Sequence, residues 1–252
     1  MKNYIDPISL FKQTNFSNTI WWKLKVNISG YQHESENNLV TEIFKNRIFK
    51  LIHPNSYQNK KKLSRVLVQF YEDGYICWID LDKLIIEKYE ITRNEIIENE
   101  DFLIKRKIPL ILNWIEDQSY LNNRYLWGGT LGPNFDCSGL LQTAFFIHRI
   151  YIPRDSHQLK SFCKHLFNFK ENQKPLQAGD ILFFGNQEKC DHVGIYKGDG
   201  FYYHSSGNDF GRNGIGVDTI KETNDKISLH YQSKLISAGR VMRNYRWDRT
   251  IR

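Results

Sequence analysis

Hydrophobic and polar positions alternate over short stretches in the first third of the chain. The stretch Trp22–Ile28 alternates, and apolar runs follow at 47–52, 66–71 and 75–79. Polar loops rich in Asn, Ser and Lys separate these runs. Successive side chains of a strand point to opposite faces, so the pattern predicts several short β-strands that form a small, partly closed barrel.

The pattern changes after residue 80. Residues 80–100 are highly charged, which predicts a linker that leads into a helix. Thr92 and Glu95 have the spacing of a helix capping box, and apolar residues recur at helical spacing over 104–115. Pro109 lies within that stretch, so we expect the helix to kink or restart there.

The second half of the chain combines one helix with a series of strands. Apolar positions after Cys137 follow a helical period, which predicts a helix over residues 138–150. Strand patterns and turn signals follow it, at 181–184, 192–196, 201–205, 215–218 and 235–242. A helix followed by an antiparallel sheet is an α+β arrangement. We therefore predict an α+β protein in three parts: a β domain at 1–85, a linker and helix start at 86–104, and a second domain at 105–252.

One loop directly precedes the predicted helix of the second half. Residues 125–137 read Tyr-Leu-Trp-Gly-Gly-Thr-Leu-Gly-Pro-Asn-Phe-Asp-Cys, and the glycines and proline predict a tightly shaped loop. The loop places Cys137 at the helix N-terminus, where unpaired N–H groups and the positive end of the helix dipole favour a thiolate. Cys137 is therefore a candidate nucleophile, and an inert buried thiol is the alternative.

Two histidines lie on either side of a turn at 198–200, Gly-Asp-Gly. In a hairpin, His192 and His204 lie on the same face only if the sequence numbers of two residues paired across the strands add up to an even value. A two-residue loop at 199–200 gives an odd sum and separates them. A three-residue loop pairs Lys197 with Phe201 and makes the two histidines diagonal neighbours on one face. The sequence therefore permits a two-histidine relay.

The composition narrows the function classes. Hydrophobic residues make up 40% and aromatic residues 14% of the chain, enough for folded cores, and no stretch approaches the roughly 20 apolar residues of a membrane span. The net charge of +7 is dispersed, so we expect a solvated basic surface that tolerates acidic substrates, not a nucleic-acid interface. The four cysteines lack disulfide-framework spacing and the N-terminus lacks the apolar segment of a secretory signal, so we expect a cytoplasmic protein.

A thiol and two histidines suit nucleophilic catalysis. Cys137, His192 and His204 can serve as nucleophile, base and orienter for acyl transfer, with a backbone N–H and the Tyr125 hydroxyl near the oxyanion. Taken singly, each of the eight histidines of the chain is more often a structural or surface residue than a catalytic one. A zinc site that adds Cys190 is the metal alternative, but the chain has no Cys-x-x-Cys pair, so we expect no metal and no cofactor.

Six short motifs occur along the second half of the chain. They are Tyr125-Leu-Trp-Gly-Gly129, Asp136-Cys-Ser-Gly139, Pro153-Arg-Asp-Ser156, Ala178-Gly-Asp-Ile-Leu-Phe-Phe184, His192-Val-Gly-Ile-Tyr196 and His204-Ser-Ser-Gly207. Through them, residues 105–245 resemble the NlpC/P60 cysteine peptidases. With a small β domain in front, the whole chain resembles the cyanobacterial γ-D-glutamyl-L-diamino acid endopeptidases.

The resemblance implies a papain-like NlpC/P60 domain, in which a helix bearing the cysteine packs on an antiparallel sheet, after an SH3-like (SH3b) domain. It also implies that Cys137 is the nucleophile, His192 the base and His204 the orienter. The implied reaction is hydrolysis of the bond between D-Glu and a diamino acid, such as meso-diaminopimelate, in cell-wall peptides with a free N-terminal L-Ala. We expect a monomeric enzyme of murein peptide recycling that contacts neither nucleic acid nor membrane.

By position, the resemblance also assigns six residues to substrate binding. They are Tyr75 of the first domain and, in the second domain, Tyr125, Asp136, Ser138, Asp155 and Ser156. The carboxylates of Asp136 and Asp155 are suitable partners for a substrate ammonium group, and the alternatives are a loop cap and a surface turn, respectively.

Two other functions remain open at this point. A thiol acyltransferase or amidase on the same fold would pass the acyl group to another acceptor. A peptidoglycan-binding module without activity is the second alternative, and the presence of Cys137, His192 and His204 argues against it.

Overall fold

The computed structural model describes residues 6–15, 17–52, 63–90, 101–168, 175–186, 188–209 and 211–247. The chain divides into two compact units, one of Met1–Ile96 with Arg246–Arg252 and one of Ile97–Tyr245. Across the described ranges, no helix has the length and apolar character needed to cross a bilayer.

The first unit is a short helix on an antiparallel sheet. The helix α1 covers Pro7–Gln13, and the strands are β1 Trp21–Leu24, β2 Ile28–Tyr31, β3 Leu39–Ile43, β4 Ile48–Leu51, β5 Arg65–Phe70, β6 Ile76–Asp80 and β7 Ile86–Tyr89. Asp6 caps α1 by accepting hydrogen bonds from two backbone N–H groups. The helix then places Phe11 edge-on against Trp22, with ring centroids 5.2 Å apart.

Alternation along the strands builds the core of this unit. In β5, Val66, Val68 and Phe70 are fully buried, and they pack with the inward residues of the neighbouring strands. The strand order is β3-β2-β6-β5-β4-β1-β7. None of the described pairings joins the two outer strands, β3 and β7, so the sheet is not closed and the predicted SH3-like barrel is not shown.

Strand positions in this unit agree with the pattern except at three places. The alternating run 22–28 spans two strands, β1 and β2, not one. The strand β3 lies in a stretch for which the sequence predicts a polar loop. Residues 86–89, assigned to the linker, form β7 and pair with β1. The predicted capping box at Thr92 and Glu95 lies outside the described residues.

The second unit has four helices and six strands in the residues that the structure describes. The helices are α2 Asp101–Ser119, α3 Cys137–Ile147, α4 Ser156–Phe162 and α5 Lys226–Lys234. The strands are β8 Lys164–Asn168, β9 Ile181–Gly185, β10 Cys190–Gly198, β11 Phe201–Ser206, β12 Gly214–Thr219 and β13 Leu235–Arg240. They form one antiparallel sheet in the order β12-β11-β10-β9-β13-β8, which confirms the α+β prediction.

Both faces of this sheet are covered. Ile181 and Phe183 of β9 belong to the core with α2 and α3, whereas Leu182 and Phe184 belong to a core with Tyr231 of α5. This two-sided burial explains why β9 is a continuous apolar run without alternation.

The helix α2 continues through its proline. The helix does not restart at Pro109, because Asp101–Ser119 is one continuous helix. Its inward side carries the buried Ile104, Ile111 and Ile115, while Pro109 is exposed. The hydrogen bond that a proline cannot donate is therefore lost on the solvent side, where water can replace it.

In the hairpin β10–β11, His192 and His204 lie on the same face of the sheet, as predicted, but the turn differs from the predicted one. Ile195 pairs with Tyr203 and Tyr196 with Tyr202, so the paired numbers sum to an even value as required. The last pair is Gly198 with Phe201, not Lys197 with Phe201, because a bulge at Lys197 precedes a two-residue turn. A bulge adds one residue to one strand, and here it restores the register that a two-residue turn alone would have changed.

Gly194 of β10 allows the close approach of β11 behind the histidines. A Cβ atom there would lie 2.8 Å from the Tyr202 ring and 2.9 Å from the Tyr203 carbonyl oxygen. We expect Gly194→Ala to lower the free energy of unfolding by about 1–3 kcal/mol, because the strand pair must move apart. The measurement is the shift in melting temperature by calorimetry.

Gly207 provides the matched control for this substitution. A Cβ atom at Gly207 would meet only the Tyr125 ring, at 4.0 Å. Gly207→Ala should therefore leave stability within about 0.5 kcal/mol of the parent protein. Equal losses in the two variants would contradict the role given to Gly194.

Candidate active site

The candidate nucleophile begins a helix that is capped by its neighbour. Cys137 is the first residue of α3, as predicted, and Asp136 is its N-cap. The Asp136 carboxylate accepts hydrogen bonds from the Gly139 N–H at 2.6 Å and from the Gly128 N–H at 2.8 Å. One side chain thus joins the glycine-rich loop to the first turn of the helix.

A buried arginine completes the environment of Asp136. Arg154 donates through both terminal nitrogens to the two Asp136 oxygens, at 3.2 and 2.5 Å, and to the Ser138 hydroxyl at 2.8 Å. All three side chains are at most 6% exposed. The Asp136 carboxylate therefore receives hydrogen bonds from two backbone N–H groups, the Arg154 fork and the Ser138 hydroxyl.

The Cys137 thiol is buried against β10. Burial, reinforced by the negative charge of Asp136, raises the pKa of Cys137 to about 12, while a hydrogen bond from the Val193 backbone opposes the shift. Val193 directly follows His192 in β10, so the thiol lies against the residue next to the candidate base. The helix start alone suggested a thiolate, but desolvation is the larger effect and keeps the resting group a thiol.

Two imidazoles and a carboxylate form a buried hydrogen-bond chain. Nε2 of His192 lies 2.8 Å from Nδ1 of His204, and Nε2 of His204 lies 2.6 Å from an oxygen of Asp218. The predicted two-histidine relay is thus present, and Asp218 extends it.

The hydrogen-bond chain determines which nitrogen of each histidine carries a proton. A carboxylate only accepts, so Nε2 of His204 carries a proton and Nδ1 of His204 accepts from Nε2–H of His192. That leaves the lone pair of His192 on Nδ1. Burial and the neighbouring His204 hold the pKa of His192 well below 6.5, so the ring is neutral at rest and able to accept a proton there.

Asp218 is itself held by groups from two elements. Its Oδ1 accepts from Arg212 at 2.5 Å and from the hydroxyl of Ser228, on α5, at 2.6 Å. These hydrogen bonds and that from His204 outweigh burial and lower the pKa of Asp218 to about 2. The carboxylate therefore stays ionised over the whole range in which such an enzyme would work.

The structure brings most of the other predicted residues to the same unit. Tyr125 is half-buried near Cys137, and burial raises the pKa of its hydroxyl. Asp155 occupies the N-cap of α4 without a side-chain capping hydrogen bond. Ser156 donates its hydroxyl to the Cys190 carbonyl at 2.9 Å. Tyr75 belongs to the first unit, where it packs against the core, and its role toward the substrate stays a prediction.

Four functional residues were missed by the sequence analysis: Arg154, Arg212, Asp218 and Tyr231. Asp218 could have been found by the parity argument, because Tyr202 pairs with Asp218 and His204 with Gly216, which puts His204 and Asp218 on one face. Arg154 and Arg212 come from two different loops and Tyr231 from α5, and no local pattern connects them with the histidines. Over the described residues, no group of three or more His, Cys, Asp or Glu side chains is arranged to hold a metal ion.

The model of the NlpC/P60 family matches residues 122–234, the segment that carries Cys137, His192, His204 and Asp218. This segment of the chain is therefore similar to the NlpC/P60 family. All six motifs lie within the matched segment.

Curated relatives of this segment have the names of peptidases. The chain is 37% identical over 89 residues to the gamma-D-glutamyl-L-lysine dipeptidyl-peptidase of Bacillus cereus, covering 34% of this chain and 25% of that protein. It is 34% identical over 130 residues to the bifunctional muramidase/DL-endopeptidase CwlT of Bacillus subtilis, covering 50% of this chain and 35% of that protein. The chain thus spans about a quarter to a third of the length of these relatives.

Solved structures of the same family also resemble the chain. An NlpC/P60 family protein from Bacillus cereus has a TM-score of 0.45 at 21% identity, over 92% of this chain and 66% of that one. The NlpC/p60 domain of the peptidoglycan hydrolase SagA has a TM-score of 0.42 at 20% identity, over 53% of this chain and 98% of that one.

Asp218→Asn should reverse the proton positions in the relay. The amide oxygen would keep the donors Arg212 and Ser228, so the amide N–H would face His204 and require an acceptor on Nε2. The proton of His192 would then move to Nδ1, where it blocks the base. We expect ¹⁵N NMR of the imidazoles to show this exchange, with at least about a tenfold slower alkylation of Cys137 at pH 7.

Asp225→Asn is the control for the loss of charge. Asp225 accepts from the same Arg212, at 2.7 Å, but not from His204, and Asn replaces Asp well at the N-cap that Asp225 occupies. This variant should keep the parental tautomers and alkylation rate. Unchanged imidazole signals in Asp218→Asn would refute the assigned proton chain.

The buried pair Asp136–Arg154 should contribute to stability through its charges. Arg154→Met leaves a buried carboxylate unpaired, and we expect a loss of about 3–5 kcal/mol. The double variant Asp136→Asn with Arg154→Met removes both charges and should recover part of the loss. Melting temperatures of both variants test this expectation, and a double variant no more stable than Arg154→Met would contradict it.

Proposed function

We propose that the chain is a cysteine endopeptidase that hydrolyses the γ-D-glutamyl–diamino acid bond of cell-wall peptides. The observation that carries the proposal is the buried relay from Asp218 through His204 to His192, beside a thiol at a helix start. A relay that leaves one imidazole lone pair for a thiol is the arrangement of an acyl-transfer nucleophile and its base.

The proposed reaction proceeds through a thioester. His192 Nδ1 accepts the Cys137 proton as the sulfur attacks the γ-carbonyl carbon of D-Glu, and backbone N–H groups with the Tyr125 hydroxyl stabilise the oxyanion. The tetrahedral intermediate collapses, the C–N bond breaks, and His192 gives its proton to the departing amine. Water, deprotonated by His192, then attacks the thioester and regenerates the thiol with release of the free carboxylic acid.

Asp155 is the proposed partner of the substrate's N-terminal ammonium group. Its carboxylate is half-buried at the N-cap of α4, and a carboxylate is a suitable partner for an ammonium group. Asp136 and Ser138, whose hydrogen bonds go to Arg154 and the loop, would act on the substrate by holding the helix that bears Cys137. The remaining assigned residues, Tyr75, Tyr125 and Ser156, are proposed as further substrate contacts.

Two observations support the choice of substrate and setting. Relatives of the domain are named a gamma-D-glutamyl-L-lysine dipeptidyl-peptidase and a DL-endopeptidase, which favours the γ-D-glutamyl bond. All four cysteines are free thiols, which suits a reducing compartment and a role in recycling imported peptides in the cytoplasm. Finding the protein in the periplasm would contradict that role.

The test is cleavage of L-Ala-γ-D-Glu-meso-diaminopimelate, followed by mass spectrometry. We expect release of L-Ala-D-Glu, and an activity at least about a thousandfold lower in Cys137→Ala. Cys163→Ala, which changes another buried thiol, should retain activity and serves as the matched control.

The N-acetylated peptide and Asp155→Asn test the ammonium site. Acetylation should abolish cleavage by the parent protein, and Asp155→Asn should raise KM for the free peptide more than it lowers kcat. Equal cleavage of both peptides would remove the roles given to Asp155 and Tyr75. Transfer of L-Ala-D-Glu to an added amine in preference to water would indicate the acyltransferase, and binding without turnover would indicate a binding module.

A further inference from the structure

The ring of Tyr231 lies against both histidines of the relay. Its centroid is 4.6 Å from that of His192, with the planes only 32° apart, and 4.7 Å from that of His204, with the planes nearly perpendicular. Tyr231 is buried, and its hydroxyl hydrogen-bonds with Ser206 at the end of β11. The face of the phenol ring therefore covers the face of the His192 imidazole.

The helix α5 fixes this position at two points. Ser228, one turn before Tyr231, donates to Asp218, and Asp225 caps the helix while it accepts from Arg212. Residues three apart lie on one face of a helix, so α5 presents the hydroxyl and the ring to the relay together.

The surroundings of His192 make its protonated form costly. The groups that act on the charge of His192 are His204 on β11, Asp218 on β12, and His230 and Lys234 on α5. Asp191 is its neighbour in the chain, Tyr231 stacks on its ring, and Cys137 lies against the next residue, Val193. The nearest carboxylate in the relay, that of Asp218, acts only through His204. In a buried site, a cation needs a compensating partner nearby.

We propose that Tyr231 is a positioning residue whose ring face holds the His192 imidazole and stabilises the imidazolium formed when Cys137 transfers its proton. In that step the S–H bond breaks, the electron pair stays on sulfur and Nδ1 of His192 gains the proton. The negative face of an aromatic ring attracts a cation stacked on it, and the attraction is stronger where water is excluded. This role matters in turnover only if the proposed function holds, so the proposal rests on that function. The test of the role does not depend on it.

The test uses the ring's electrostatics and no substrate. Tyr231→Phe and phenylalanine analogues with one, two and three ring fluorines at position 231 keep nearly the same shape while the ring face becomes progressively less negative. Two quantities are measured in the full chain: the rate of Cys137 alkylation by iodoacetamide at pH 7, and the pKa of His192 by imidazole NMR. Neither depends on the identity of the peptide.

Both quantities depend on the same imidazolium and should fall together. We expect the alkylation rate to fall about 3- to 10-fold across the fluorinated series and the pKa of His192 to fall by about 0.5 to 1, because one pKa unit corresponds to a tenfold change. Tyr231→Phe itself should remain within about twofold of the parent rate, since it keeps the ring face. Leu229→Ala, on the exposed side of α5, should change neither quantity.

Two results would overturn the proposal. A rate and a pKa that do not respond to fluorination would show that the ring acts by shape alone. A falling rate with a constant pKa would show that the ring does not act on the His192 imidazolium. A flat series combined with full peptidase activity would leave the proposed function standing, whereas a graded series without peptide cleavage would leave only the role of Tyr231.

Discussion

The hydrogen-bond chain Asp218–His204–His192 is the constraint on which the catalytic unit depends. All three groups are buried, where a polar atom left without a partner costs about 1–3 kcal/mol. Because a carboxylate can only accept, one end of the chain determines the proton on every nitrogen up to the free lone pair of His192. The register of three strands, the arginine beside Asp218 and the packing of α5 all serve this single arrangement.

A second buried charge pair, Asp136–Arg154, holds the start of the helix that bears Cys137. Asp136 and Arg154 belong to two motifs 18 positions apart, and their contact ties the loop, the start of α3 and the start of α4 together. Burial around this pair explains why Cys137 rests as a thiol even though it begins a helix. In the proposed reaction, proton transfer to the relay generates the thiolate, which does not exist beforehand.

Much of this unit could be predicted because its signals are local. The period of the apolar residues placed α3, and the loop in front of it put Cys137 at the helix start. The shared face of His192 and His204 followed from counting residues around a turn, although the turn itself was closed by a bulge at Lys197. In the first unit, the described pairings do not join β3 to β7, so the expected barrel is not shown, since strand patterns carry no information on closure.

The sequence by itself determined the position of Cys137 at a helix start, the shared face of the two histidines and the α+β order of elements, because periodicity and turn length act between residues near in the chain. Only the tertiary structure decided that Asp218 ends the relay, that Arg154 pairs with Asp136 and that Tyr231 stacks on His192. Those contacts join segments that approach each other only when the sheet is covered on both faces. The protonation states also came from the fold, because desolvation depends on everything packed around a group.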